Sequence, residues 1–222
     1  TDVVAAYENY EFHVVYQKIS QFIAVELSSV YHDVIKDRMY TDAADSLRRR
    51  STQTALHRLV TGLCQMLAPI LAYTADEAWE FIPGKPTASV HEAVWHPVLF
   101  VRPENEIAEW KNLFVLREVS LPELEKARQA KLIGKSLEAK LTVNGNGQLL
   151  LDARLHLDAL RELLNVSQVS LNNNGSETVF ATVAKADGEK CERCWHWELD
   201  LGKNVEHPTL CGRCVEAVSS CH

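Results

Sequence analysis

The stretch "SLRRRSTQTALHRLVTGLCQMLAPI", Ser46–Ile70, decides how the first half of this chain folds. Leu56, Leu59, Leu63, Leu67 and Ile70 recur every three or four residues, which lays them along one side of a long helix. Ser46 can accept from an amide of the first turn and is the predicted N-cap. Pro69 is predicted to kink or stop the helix, since it lacks an N–H and crowds the preceding turn. Upstream, Val15, Ile19, Phe22 and Ile23 repeat at helical spacing, and a second amphipathic stretch covers about Glu26–Tyr40 before the turn "TDAADS". Downstream, "TADE" (Thr74–Glu77) reads as a capping box, and its helix is predicted to run to about Ile82 and stop at "PGKP". Stripes of this kind are the core of an antiparallel helix bundle, placed here at residues 1–100.

Beyond this the period changes. The prolines at 86, 97 and 103 mark a connection. A helix is predicted over about Glu104–Arg117 and a second from Ser120, where "SLPE" offers another capping box, to Gly134. "LEAKLTVNGNGQLLL" alternates around Asn144–Gly147 and reads as a hairpin. A short helix near Leu157–Leu164 and strands in "VSQVSL" and "TVFATVAKA" complete a small α+β unit over 101–187.

The end of the chain, 188–222, contains "CERCWHWELDLGKNVEHPTLCGRC". Cys191 and Cys194 form one Cys-x-x-Cys pair and Cys211 and Cys214 another, with sixteen residues between the pairs. Two residues between cysteines make a knuckle that aims both sulfurs at one point, and two knuckles supply a tetrahedron of thiolates for one Zn2+. Four thiolates leave no position for water, so the zinc is expected to be structural. His207 and His196 are competing ligands, and disulfides or free thiols are the other reading. Gly212 suits the close turn of the second knuckle. The expected fold is therefore mainly α: a helix bundle, a small α+β domain, and a four-cysteine zinc-knuckle module.

The chain of 222 residues carries net charge −7, spread along its length, which argues against a protein that wraps duplex with a broad basic field. No apolar run approaches the ~18 residues of a membrane span, and the start has neither a basic n-region nor an apolar core. Paired cysteines without such a signal predict a reducing, cytoplasmic setting and no membrane partner. Reaction centres are missing. "KLIGKS" (Lys131–Ser136) has Gln129 where a phosphate loop needs glycine, and no other nucleotide, nucleophile-elbow or zinc-protease motif occurs.

Local positive charge suggests recognition instead. Arg48, Arg49 and Arg50 sit at a helix start, where cations oppose the dipole and a phosphate would relieve them. Arg128, Lys131 and Lys135 are spaced to share one helical face. Arg193 and Arg213, with Lys190, flank the knuckles beside Trp195 and Trp197. Exposed rings with nearby arginines suit unstacked bases, and Trp195 is the residue expected to stack, the alternative being that a tryptophan packs over the sulfurs.

Several of these stretches resemble a known family. "IKDRMYTDAADSLRRRSTQTAL" and "LAPILAYTADEAWEFIP" are similar to the anticodon-binding helical domain of class I aminoacyl-tRNA synthetases, "LREVSLPELEKARQAKLIGKSLEAKL" to the junction that follows, and "KCERCW…HPTLCGRC" to the terminal zinc module of bacterial-type isoleucyl-tRNA synthetases. The resemblance implies recognition of an isoleucine tRNA anticodon stem-loop by a monomer joined to an upstream catalytic domain. ATP and Mg2+ would serve only that domain, because the His-x-Gly-His and Lys-Met-Ser-Lys-Ser signatures of the family's ATP site are absent here. The fragment alone is expected to be non-catalytic. Two rivals remain: a free-standing zinc-bearing protein-interaction adaptor, and a formamidopyrimidine-type DNA glycosylase, whose starting Pro-Glu and β-rich first half this chain lacks.

Overall fold

A computed structural model describes residues 1–95 and 101–220. Its elements run α1 (Asp2–Glu8), α2 (Phe12–Gln21), a π-helical stretch (Phe22–Tyr31), α3 (His32–Thr41), α4 (Leu47–Leu67), α5 (Ala72–Glu80), α6 (Glu104–Gln129), β1 (Ala139–Gly145), α7 (Gln148–Leu155), α8 (Leu157–Leu164), β2 (Gln168–Asn173), β3 (Phe180–Lys185), β4 (Glu189–Lys190), β5 (Trp197–Glu198) and α9 (Gly212–Ser219). The molecule is mainly helical with a small sheet. The chain divides into two compact units: Thr1–His32 with Ala44–Phe100, and Asp33–Ala43 with Val101–His222. Residues 33–43, expected within the first domain, thus belong to the second unit. Pro97 lies outside the described residues.

In the first unit Ser46 caps α4, its Oγ accepting from Arg49 N at 3.1 Å. The apolar stripe of α4 divides in two. Leu63 and Leu67, with Ile70 just beyond the helix, pack against buried Ala6, Val15 and Ile19, whereas Leu56 and Leu59 line an open apolar groove with Ile23, Leu27 and Phe81. Cys64, Ala68, Ala75, Trp79, Ile82 and Val90 form a second buried cluster. The "TADE" capping box does not form. The helix already starts at Ala72, and Asp76 instead accepts from Ser89 Oγ (2.6 Å) and Val90 N (2.9 Å), folding part of the expected connection onto α5.

The second unit is built on α6. One helix replaces the two predicted, with Pro122 inside it. Leu113, Leu116, Ser120, Leu124 and Ala127 are its buried positions, three and four residues apart, so tertiary packing outweighs the roughly 3 kcal/mol a mid-helix proline costs. Ser120 Oγ bonds back to Leu116 O at 2.7 Å and caps nothing. The expected hairpin is also absent. After Gly147 the chain enters α7, and β1 pairs in parallel with β2 and antiparallel with β3, giving the sheet order β2-β1-β3. Leu150 and Ala153 are buried at helical spacing, and buried Asp152 accepts from Asn112 and Gln148, both at 2.6 Å. Two-residue strands β4 and β5 bracket the first knuckle, and α9 begins inside the second. Among the described residues no helix is long and apolar enough to cross a membrane.

Candidate metal centre and nucleic-acid interface

The first knuckle closes on itself. Trp195 N donates to Cys191 O and Cys191 N to His196 O, both at 2.9 Å, with β4 and β5 pairing alongside. The second knuckle opens on a β-region residue, Cys211, which is the N-cap of α9, so the chain turns into the helix at once. Gly212 serves for a reason other than a tight turn. Its amide donates to Asp200 Oδ2 at 2.8 Å, and a Cβ would lie 2.8 Å from that same oxygen.

These turns bring Cys191, Cys194, Cys211 and Cys214 together, with all four sulfurs within 4.8 Å of one another and all four side chains buried. A tetrahedral zinc with Zn–S near ~2.3 Å requires S···S edges of about 3.8 Å, and Cys194 and Cys211 stand 3.7 Å apart. The sulfurs are unbonded, which removes the disulfide reading. As bare thiols they cannot all ionise. Burial raises the Cys191 thiol, but the amides of Cys194, Cys211 and Arg193 outweigh it and bring it to about 7. The Cys211 thiol pushes Cys194 up to about 12, and Cys194 pushes Cys214 to about 11. A dication at the centre is the charge the set lacks, and the donor set fits zinc. Among the described residues no histidine joins it. His196 is buried with Nδ1 accepting from Arg161 (3.1 Å) and Nε2 3.6 Å from Asp37.

The basic residues divide sharply. Arg193 Nη1 donates to Thr41 O, the last carbonyl of α3, and to Cys214 Sγ at 3.5 Å. Arg213 pairs with Asp37, Nη2 to Oδ1 at 2.8 Å, and reaches Asp42 at 3.3 Å. Burial raises the Asp37 carboxyl, but Arg213 overrides it and holds it at about 2. Both arginines, expected to lie free for phosphate, are thus engaged within the chain, because each has an acceptor on α3 or just past its end. Arg128 bonds Glu125 (2.5 Å) and Ser136 (3.1 Å). The expected shared face of Arg128, Lys131 and Lys135 does not form, since α6 ends at Gln129 and Lys131 is left-handed. In the rejected phosphate motif, the Gly134 amide is already taken by Glu138 at 2.8 Å. Arg48, Arg49 and Arg50 form the first turn of α4 in the first unit, with Arg50 exposed.

Trp195 and Trp197 differ as well. Trp197 is half-buried, its backbone amide donates to Ser167 Oγ at 2.8 Å, and Lys185 lies over its ring. Trp195 is 56% exposed, with Lys135 and Lys190 5.8 and 5.9 Å from its ring centre. Its backbone is left-handed, φ 67°, a conformation that costs a non-glycine residue about 1–3 kcal/mol and concentrates at functional positions. The pairing of Trp195 with Lys135 was not legible in sequence, because sixty residues separate them.

The family described as "Anticodon-binding domain of tRNA ligase" matches residues 1–143, through α6 and into β1. "Zinc finger found in FPG and IleRS" matches 188–217. Proteins named isoleucine–tRNA ligase are similar over 98% of the chain: 40% identity in Sodalis glossinidius, 43% in Exiguobacterium sibiricum and 40% in Cronobacter sakazakii. The chain covers 25%, 24% and 25% of those relatives, so it spans about a quarter of their length.

Proposed function

The chain belongs to the anticodon-binding domain family of tRNA ligases, and from that premise we propose that it is the tRNA-reading part of an isoleucine–tRNA ligase. Its helical first hundred residues are read as an antiparallel bundle that meets the anticodon stem-loop of isoleucine tRNA. Attachment of isoleucine, with its ATP and Mg2+, belongs to an upstream catalytic domain of the same monomeric, cytoplasmic enzyme. One Zn2+ per chain, held by Cys191, Cys194, Cys211 and Cys214, supplies folding energy to the terminal module and no reaction chemistry.

The observation that carries the nucleic-acid reading is Trp195. A zinc-ligating neighbour fixes its backbone, its ring is exposed, and two lysines flank it. A preorganised ring loses little entropy on stacking against an anticodon-loop base, and Lys135 and Lys190 supply the charge for its phosphates, with Lys131 assigned to the same backbone. Arg48–Arg50 are assigned to the stem backbone. Arg193 and Arg213 contribute by holding the knuckles in shape, and Arg128 is held by Glu125 and Ser136.

Stacking is worth about 1–3 kcal/mol per base, so Trp195→Ala is expected to weaken isoleucine tRNA binding roughly tenfold to a hundredfold with an unchanged salt slope. Lys135→Ala should flatten the salt dependence instead. If Trp195→Ala binds tRNA normally yet loses zinc, the ring is a packing element. Adenylate chemistry is checked by ATP–pyrophosphate exchange with isoleucine, which this chain alone should not support.

A further inference from the structure

A polar cluster in the second unit joins the knuckles to residues 33–43. Asp37 lies one turn before the C-terminus of α3, where the helix dipole already disfavours a carboxylate. It is nevertheless mostly buried, with Arg213 bonded to both its oxygens, Thr41 Oγ1 donating to Oδ1 at 2.9 Å and His196 3.6 Å away. Arg213 sits between Gly212 and the ligand Cys214. Arg193, between Cys191 and Cys194, spends one nitrogen on two acceptors: the orphan Thr41 carbonyl that ends α3 and the Cys214 sulfur. Arg38, on the same helix, pairs with Glu162 of α8, Nε to Oε2 at 2.9 Å. Each knuckle therefore carries one arginine that reaches the same end of α3.

Charge gives this arrangement a direction. A dication on four thiolates leaves two surplus negative charges in a buried site. Arg193 and Arg213 lie beside them, and Asp37 and the α3 carbonyl in turn anchor the arginines. The knuckle backbones aim both arginines at α3, so losing the metal that closes the knuckles would remove the support that keeps Arg193 on the Thr41 carbonyl and Arg213 on Asp37.

We infer that zinc binding and the order of Asp33–Ala43 are one coupled event, with Asp37 as a positioning residue that acts on the metal centre through Arg213 and His196, and Arg193 as the direct strut. The inference rests on the proposed zinc centre and deepens it. The segment ends three residues before Ser46, the cap of α4.

Hydrogen exchange on the full chain tests this without any variant. Removing zinc with a chelator should raise exchange in Asp33–Ala43 in step with Cys191–Cys214, while the amides of α2 and α5 keep their protection. Two variants test the direction. Asp37→Asn, which removes a partner of Arg213 and His196 and not of a ligand, should release zinc to a chromophoric chelator up to about tenfold faster, the low end of the range for direct partners of a ligand, and Asp37→Glu, which keeps the charge, should recover most of that. Protein without bound zinc would overturn the metal centre and this coupling together. Zinc bound at about one per chain, with exchange in 33–43 unmoved by chelation or release from Asp37→Asn at the wild-type rate, overturns the coupling alone.

Discussion

The two ends of this chain are held by different physics. The first unit buries carbon: Val15, Ile19, Cys64, Trp79, Ile82 and Val90 are all at or below 5% exposure, contributed by α2, α4, α5 and the segment that follows α5. Among the described residues from 188 onward the buried side chains are the four cysteines, Ala217 and His196. Its apolar packing is small, with Leu201 and Leu210 partly buried against the cysteines, so sulfur geometry and ion pairs hold its shape. The first unit should therefore yield gradually to truncation, whereas the zinc end should fail at once when its centre is emptied.

The sharpest break of that contrast is the double substitution Cys191→Ser/Cys214→Ser. It removes half the tetrahedron, and apparent zinc binding in small modules is worth about 10–16 kcal/mol. Residues 188–220 should lose their dispersed NMR resonances and become open to protease, while signals of α1, α2, α4 and α5 persist. Loss of both sets together would show that the first unit depends on the metal. A smaller and opposite effect is expected for Trp79→Ala, which empties a fully buried site whose Nε1 also donates to Thr87 O at 3.1 Å. Truncating a buried aromatic costs about 3–5 kcal/mol, so denaturation of the first unit should move to lower urea with zinc content unchanged. Smallest is Ser46→Ala, which removes the cap of α4 for about 1 kcal/mol. It should lower the melting temperature of the first unit by a few degrees and leave release of zinc unaltered.

Much of the first unit was readable because its signals are local. The Ser46 cap needs only the next three residues, and the turn after Thr41 and the stop before Pro69 follow from single side chains. The cysteine box was readable for the same reason, since two residues between thiols dictate a knuckle. Reading failed where a distant partner decided. "NGNGQLLL" carries a strong hairpin turn and an apolar run that periodicity cannot classify, and β1 found its partners at residues 168–173 and 180–185. Ser120 and Pro122 carry start signals, yet burial of Leu116 and Leu124 on one face kept the helix whole.

The candidate site divides along the same line. Spacing alone determined that four cysteines at 191, 194, 211 and 214 would converge, because bond lengths and two-residue turns leave the sulfurs little choice. Which arginines are engaged was decided only by the fold. Arg193 and Arg213 look in sequence like any basic pair beside an aromatic, and it took Asp37 and the Thr41 carbonyl, more than 150 residues away, to claim them. A guanidinium takes whichever acceptor lies within about 3 Å, and tertiary packing alone sets which acceptor that is.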